Sequence, residues 1–222
     1  MQPRGVLSSM RSRALAGMAA VAALVPLAAR ADAPPPARCD PQGSKTVAKD
    51  SVARVYRHRV DTMHEVIGCS YSTGRRTFLG YHDAFDPPDG EFVRPVALRG
   101  RFVAASDEVR DHATGTFSTV SVRDLGSGKL LHRWHRGGKA CLGHAQVTRI
   151  RVNRAGSAAW IAQVQHDCGA TTQAVYRAQG SARRPRLLDQ ATAVDPHFLE
   201  LHGGQMYWKD GGTERSAPIR RR

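Results

Sequence analysis

Apolar and polar residues alternate with a period of two through most of the chain after residue 45, and no stretch shows a sustained helical period. Successive runs read SVARVYRH, MHEVIGCSYS, RRTFLGYH, VRPVALRG, RFVAASDE, TFSTVSVRD and KLLHRWH, and then VTRIRVNRAG, SAAWIAQVQ, TTQAVYRAQ, RPRLLD, HFLELHGG, QMYWKDGG and TERSAPI. Gly, Asp, Asn and Pro punctuate them. Each run is therefore expected to be a strand, and each short polar gap a hairpin.

The runs also repeat. Leu98, Val152 and Leu201 occupy the same slot, just before a Gly-bearing turn, at intervals of roughly 50 residues. An earlier unit shows its last three strands, with a short first strand around Thr46-Val47-Ala48. Four strands per unit, joined by tight turns, predict antiparallel meanders. A series of such meanders is the pattern of a β-propeller. The expected fold is all-β, a propeller-like array of about four four-stranded antiparallel blades, closed or incomplete, over residues 45–219. A β-sandwich is the alternative, since it too uses many short strands. The last unit ends after Ile219 without a fourth strand, so closure would need a strand lent by the N-terminal segment.

Two segments carry a family resemblance. VSVRDLGSGKLL resembles the hairpin between third and fourth strands of WD-repeat and Tol-type propellers, and NRAGSAAWIA resembles a first-to-second-strand hairpin of the same superfamily. The region as a whole is similar to secreted bacterial propeller-like proteins. The Gly-His and Trp-Asp signature of WD repeats is absent. The resemblance implies a blade and no particular activity.

The N-terminus reads as an export signal over residues 1–31. Arg4, Arg11 and Arg13 precede an apolar stretch from Ala14 to Leu27, and Ala29-Arg30-Ala31 offers the small residues of a cleavage site. The stretch is about 14 residues long, too short to span a bilayer comfortably. Residues 32–44, with Pro34-Pro35-Pro36, are expected to be an extended linker, and residues 220–222 a basic tail. No later run is apolar enough to be a membrane span. The chain is thus expected to be secreted or otherwise extracytoplasmic.

That compartment bears on the cysteines. Cys39, Cys69, Cys141 and Cys168 make an even count, which reads as two disulfides in an exported protein. Three pairings are open; the local ones, Cys39 with Cys69 and Cys141 with Cys168, are preferred. Cys141 precedes the first strand of its unit and Cys168 follows the second, so both fall at one edge of a meander. Cys69 falls within a third strand, where geometry helps less.

Charge adds a partner class. The net formal charge is +14, and cleavage after Ala31 removes four arginines and no acid, so the mature chain stays strongly basic. Most of the cations are Arg, part of which reflects composition bias. Long-range attraction to an anionic envelope polymer is expected; another secreted protein is the other candidate partner. Specific nucleic-acid binding is not expected, because Arg57-His58-Arg59, Arg183-Arg184-Pro185-Arg186 and Arg220-Arg221-Arg222 lack interleaved aromatics.

Chemistry-bearing motifs are sparse. Gly126-Ser127-Gly128-Lys129 is a hairpin without the helix a phosphate loop needs. His132 and His135 are three apart on a strand and so point to opposite faces. Asp83, Asp86, Asp89 and Glu91 share one loop but not the spacing of a calcium loop. No metal or cofactor is implied. His144, His166 and Asp167 flank the Cys141–Cys168 edge and are the candidate site residues. The first expectation is a non-catalytic binding or scaffold module acting through blade loops or a sheet edge. The alternative is an extracytoplasmic hydrolase or lyase with those three loop-borne residues.

Overall fold

A computed structural model describes residues 37–82, 90–111, 115–136, 145–165, 169–180, 182 and 184–219. The expected signal peptide and basic tail lie outside them.

Among the described residues fifteen strands form four antiparallel meanders, each from one contiguous stretch of chain. Sheet 1 holds β1 (Lys45–Lys49), β2 (Ala53–Val60), β3 (Met63–Ser70) and β4 (Arg76–Tyr81). Sheet 2 holds β5 (Gly90–Arg99), β6 (Phe102–Asp111), β7 (Gly115–Asp124) and β8 (Lys129–Arg136). Sheet 3 holds β9 (Ala145–Val152), β10 (Ala158–Gln165), β11 (Thr171–Ala178) and β12 (Arg186–Ala191). Sheet 4 holds β13 (Val194–His202), β14 (Gln205–Asp210) and β15 (Thr213–Pro218). Four sheets in series replace the two facing sheets of a sandwich. The fourth has three strands rather than four. Among the described residues no strand pairs sheet 1 with sheet 4, so the array is a propeller-like series left unclosed by strand exchange.

The first strands form its hub. β1 packs on β5, β5 on β9, and β9 on β13. In every sheet the first strand slips register against the second, at Thr46/Ala48, Val93/Val96, Ile161/Ala162 and Val194/Leu199. The second and third strands of sheets 1, 2 and 3 pair without a slip. Bulges sharpen the local twist. The outer pairs slip too, β3–β4 at Val66/Ile67, β7–β8 at Val122/Arg123 and β11–β12 at Val175/Tyr176, so in these sheets the added twist sits at both edges and spares the central pair.

Three apolar layers hold the sheets face to face. Between sheets 1 and 2 lie Val55, Val66, Val93, Val103 and Leu125. Between sheets 2 and 3 lie Phe102, Val122, Trp134, Ile150, Trp160 and Tyr176. Between sheets 3 and 4 lie Ile161, Val175, Leu199, Met206 and Trp208. Period two explains how one strand serves two layers: on β10, Ala158, Trp160 and Ala162 face sheet 2, while Ala159 and Ile161 face sheet 4. Polar links cross each gap as well. Arg75 Nη1 donates to the Ser127 carbonyl at 3.0 Å, Gln146 Nε2 to Glu108 Oε2 at 3.2 Å, and Trp208 Nε1 to Asp189 Oδ2 at 2.7 Å.

Leu125 is a knob from the β7–β8 turn, fully buried against sheet 1. Its hole is Gly68 on β3: a Cβ there would meet Leu125 Cδ2 at 2.4 Å. Leu125 is itself fully buried and would have to shift to make room, so Gly68→Ala is expected to cost about 1–3 kcal/mol by overpacking. Urea denaturation would show it as a lowered midpoint, and adding Leu125→Val should recover part of the loss. A midpoint equal to that of the wild type would mean the two sheets separate freely.

The outer face of sheet 1 is covered by the chain before β1. Ala37–Cys39 forms one 3-10 turn, so the extended chain expected over residues 32–44 gives way there. Cys39 is buried with Tyr56, Ile67 and Cys69 and is disulfide-bonded to Cys69. Arg54, 5% exposed, donates to the Cys39 carbonyl at 3.0 Å, to Thr46 Oγ1 at 3.0 Å and to the Asp40 carboxylate. The guanidinium satisfies an otherwise loose segment and is itself satisfied by it, which is how a buried cation is tolerated.

Candidate functional site

The turns joining first to second strands converge at one end of the array. They are Asp50-Ser51-Val52 in sheet 1, Gly100-Arg101 in sheet 2, Asn153 to Ser157 in sheet 3 and Gly203-Gly204 in sheet 4. Each is built from local chemistry. Asn153 Oδ1 accepts from the Ala155 and Ser157 amides at 2.9 and 3.0 Å, an Asx-type turn. Gly156 closes it at φ +76°, and a Cβ there would press on Phe102 at 3.2 Å. Asp50 Oδ2 reaches across to the neighbouring sheet and accepts from the Gly100 amide at 2.8 Å. That amide is the main reason the Asp50 carboxyl sits below its usual range, with burial opposing it and the Ser51 donors and Arg99 assisting.

Two clefts open between these turns. One, of about 540 Å³, lies among Asp50, Ser51, Gly100, Arg101, Phe102 and Arg154. The other, of about 900 Å³, runs from Arg99 on β5 past Arg151, Asn153 and Arg154 to Glu200, His202 and the Gly203-Gly204 turn. Arg154 and Ala155 belong to both. Four arginines therefore line the pair of clefts, against the carboxylates of Asp50 and Glu200. Asp50 is engaged by backbone and Ser51 donors, and Glu200 Oε2 lies 3.9 Å from His202 Nε2. Arg151 is half-buried. Burial and then Arg149 pull its pKa below the ordinary guanidinium value, with Glu200 opposing. It remains a cation at any physiological pH. The Arg101 guanidinium lies over the Phe102 ring at 5.1 Å and its Nε is 3.4 Å from Asp124 Oδ2.

Chemically, such a mouth is suited to anions. Forked guanidinium donors suit phosphate and carboxylate oxygens. No group of three or more His, Cys, Asp or Glu among the described residues is arranged to hold a metal ion.

The sequence-derived site residues fare differently. Cys39 and Cys69 are joined, with Cα atoms 5.4 Å apart. Cys141, Cys168, His144, His166 and Asp167 lie outside the described residues; the strands beside them bring Ala145 opposite Val164, at the end of sheet 3 away from the clefts. His132 stacks on Trp134 at 5.1 Å, and its Nε2–H donates to the Gly180 carbonyl, a packing role. The arginine mouth was missed because its members are scattered along the chain. A signal existed: Leu98-Arg99-Gly100-Arg101 and Val152-Asn153-Arg154 place cations within three residues after the slot that Leu98 and Val152 share in successive repeats.

Comparison with known protein families finds no match, and no curated protein sequence matches significantly. Among solved structures, the chain is similar to the beta-propeller domain of the Trilobed protease from Pyrococcus furiosus, described as having an open velcro topology. The TM-score is 0.44 at 7% sequence identity, over 78% of this chain and 55% of that one. The array of antiparallel meanders, on its own topology, defines the class as propeller-like.

Proposed function

We propose that the protein is an extracytoplasmic binding module that takes an anionic partner at the mouth formed by its first-to-second-strand turns. The observation that carries this reading is the convergence of Arg99, Arg101, Arg151 and Arg154, from two different sheets, on adjoining clefts. The Cys39–Cys69 disulfide supports an oxidising compartment, and a basic exported protein meets anionic envelope polymers there. A site rich in fixed cations favours the binding reading.

Charge reversal tests it. Arg154→Glu is expected to weaken binding to a polyanion such as polyphosphate by at least roughly tenfold at about 0.15 M salt, where diffuse attraction is screened beyond roughly 8 Å. Arg59→Glu, on an exposed strand end of sheet 1, changes overall charge equally and should leave affinity within about twofold. Equal weakening by both variants would reduce the attraction to net charge and remove the site.

A further inference from the structure

We infer that the two clefts form one continuous groove for a linear, phosphate-bearing polymer without bases or sugar rings stacked along it. The inference rests on the anion-binding reading above and goes on to name the ligand's shape and chemistry. Three observations lead to it. First, Arg154 and Ala155 line both clefts, so an anion paired with Arg154 has open space on either side, toward Arg101 one way and toward Arg99 and Arg151 the other. A compact anion would fill one cleft and leave the other cations unused.

Second, the ring content is poor for bases or sugars. Phe102 is 8% exposed and already covered by the Arg101 guanidinium at 5.1 Å; the other described lining ring is the exposed imidazole of His202 at the far end, stacked on Tyr207 at 4.1 Å. Recognition of single-stranded nucleic acid leans on a row of aromatic platforms for successive bases, and one imidazole does not make a row. Third, beside Glu200 and His202 the far end of the groove includes the bare backbone of the Gly203-Gly204 turn. A Cβ on Gly203 or Gly204 would touch nothing within 4 Å, so a slim chain can lie directly over that turn. Guanidinium forks along a groove without a row of aromatic platforms match closely spaced phosphates.

Titration calorimetry on the mature protein, at about 0.15 M salt, tests this with pyrophosphate, polyphosphates of increasing length, oligo-dT and polygalacturonate. Affinity per chain is expected to rise by roughly 10²-fold or more from pyrophosphate to a chain long enough to occupy both clefts, since further contacts become intramolecular. Oligo-dT and polygalacturonate of equal charge should bind more weakly. Arg154→Gln should abolish most of the length dependence and lower the slope of log affinity against log salt by about 0.7. Arg99→Gln should act in the same direction, and Arg59→Gln should do neither. Length-independent binding, with pyrophosphate competing fully, would overturn the groove while leaving the anion site intact. Tighter binding of polygalacturonate than of polyphosphate would overturn the phosphate class alone, and tighter binding of oligo-dT would overturn the exclusion of bases and sugars. No binding by any anion, or equal effects of the Arg154 and Arg59 variants, would overturn both this inference and the reading beneath it.

Discussion

Replacing Trp160 with alanine is expected to remove about 3–5 kcal/mol of stability, enough to leave a domain of this size barely folded. Trp160 is 4% exposed in the layer between sheets 2 and 3. Its ring lies between Trp134, at 5.4 Å and 24°, and Tyr176, at 5.5 Å and 22°. The stack continues through Trp134 to His132. The ring therefore bridges both sheets, and two hydrogen-bonded sheets are too stiff to collapse around the gap left by alanine. Loss of ring–ring contact adds roughly 0.5–1.5 kcal/mol beyond burial for each pair. Urea denaturation followed by tryptophan fluorescence would measure the loss, and Trp160→Phe should recover about half. A loss below about 1.5 kcal/mol would show that the layer repacks and that the aromatic stack is incidental.

The second large effect concerns the disulfide. Cys39 and Cys69 are 30 residues apart, and freeing that loop in the unfolded chain is expected to cost about 3–4 kcal/mol. The folded state should respond locally. The turn Ala37–Cys39 and the residues up to Ser44 would still be held by Arg54, through the Cys39 carbonyl, Asp40 and Thr46. The Cys39→Ser/Cys69→Ser variant should therefore show a lowered melting temperature with an unchanged sheet signal in circular dichroism. Adding Arg54→Ala should make Arg38 readily cut by trypsin, because the last anchors of that segment are gone. Unchanged melting on removal of the disulfide would mean that the covering segment is fastened wholly by Arg54.

Every strand after residue 45 was readable from alternation and turn residues, because a meander uses only neighbours in sequence. Gly100, Gly156 and Gly203 take positive φ where the tight turns require it, and those turns set the repeat. SAAWIAQVQ was recognisable as a strand although its alternation is weak. The structure supplies the reason: Trp160 and Ile161 point into different layers, and both are buried. What lay beyond the sequence was tertiary. The preferred Cys39–Cys69 pairing ties Cys39 to a strand of sheet 1, but nothing in Ala37-Arg38-Cys39 announces the 3-10 turn or its contacts with Tyr56 and Arg54, which are on another element. The arginine mouth was hidden for the same reason. Arg99 and Arg154 are far apart in the chain and share a cleft only once sheets 2 and 3 are stacked.

The contiguous build of each sheet also fixes an order of events. In an exported chain the N-terminal part of the domain emerges first, and sheet 1 needs nothing beyond His82 to complete its backbone hydrogen bonds or to bring Cys39 beside Cys69. Each later meander then has a finished surface to condense upon, as Leu125 has in Gly68. Such nearest-neighbour growth keeps loop closure short and favours rapid acquisition of structure as the chain emerges. A chain stopped after sheet 2 or sheet 3 should leave one apolar face bare, so a truncated product would be sticky rather than unfolded, and its adhesion would mark how far assembly had advanced.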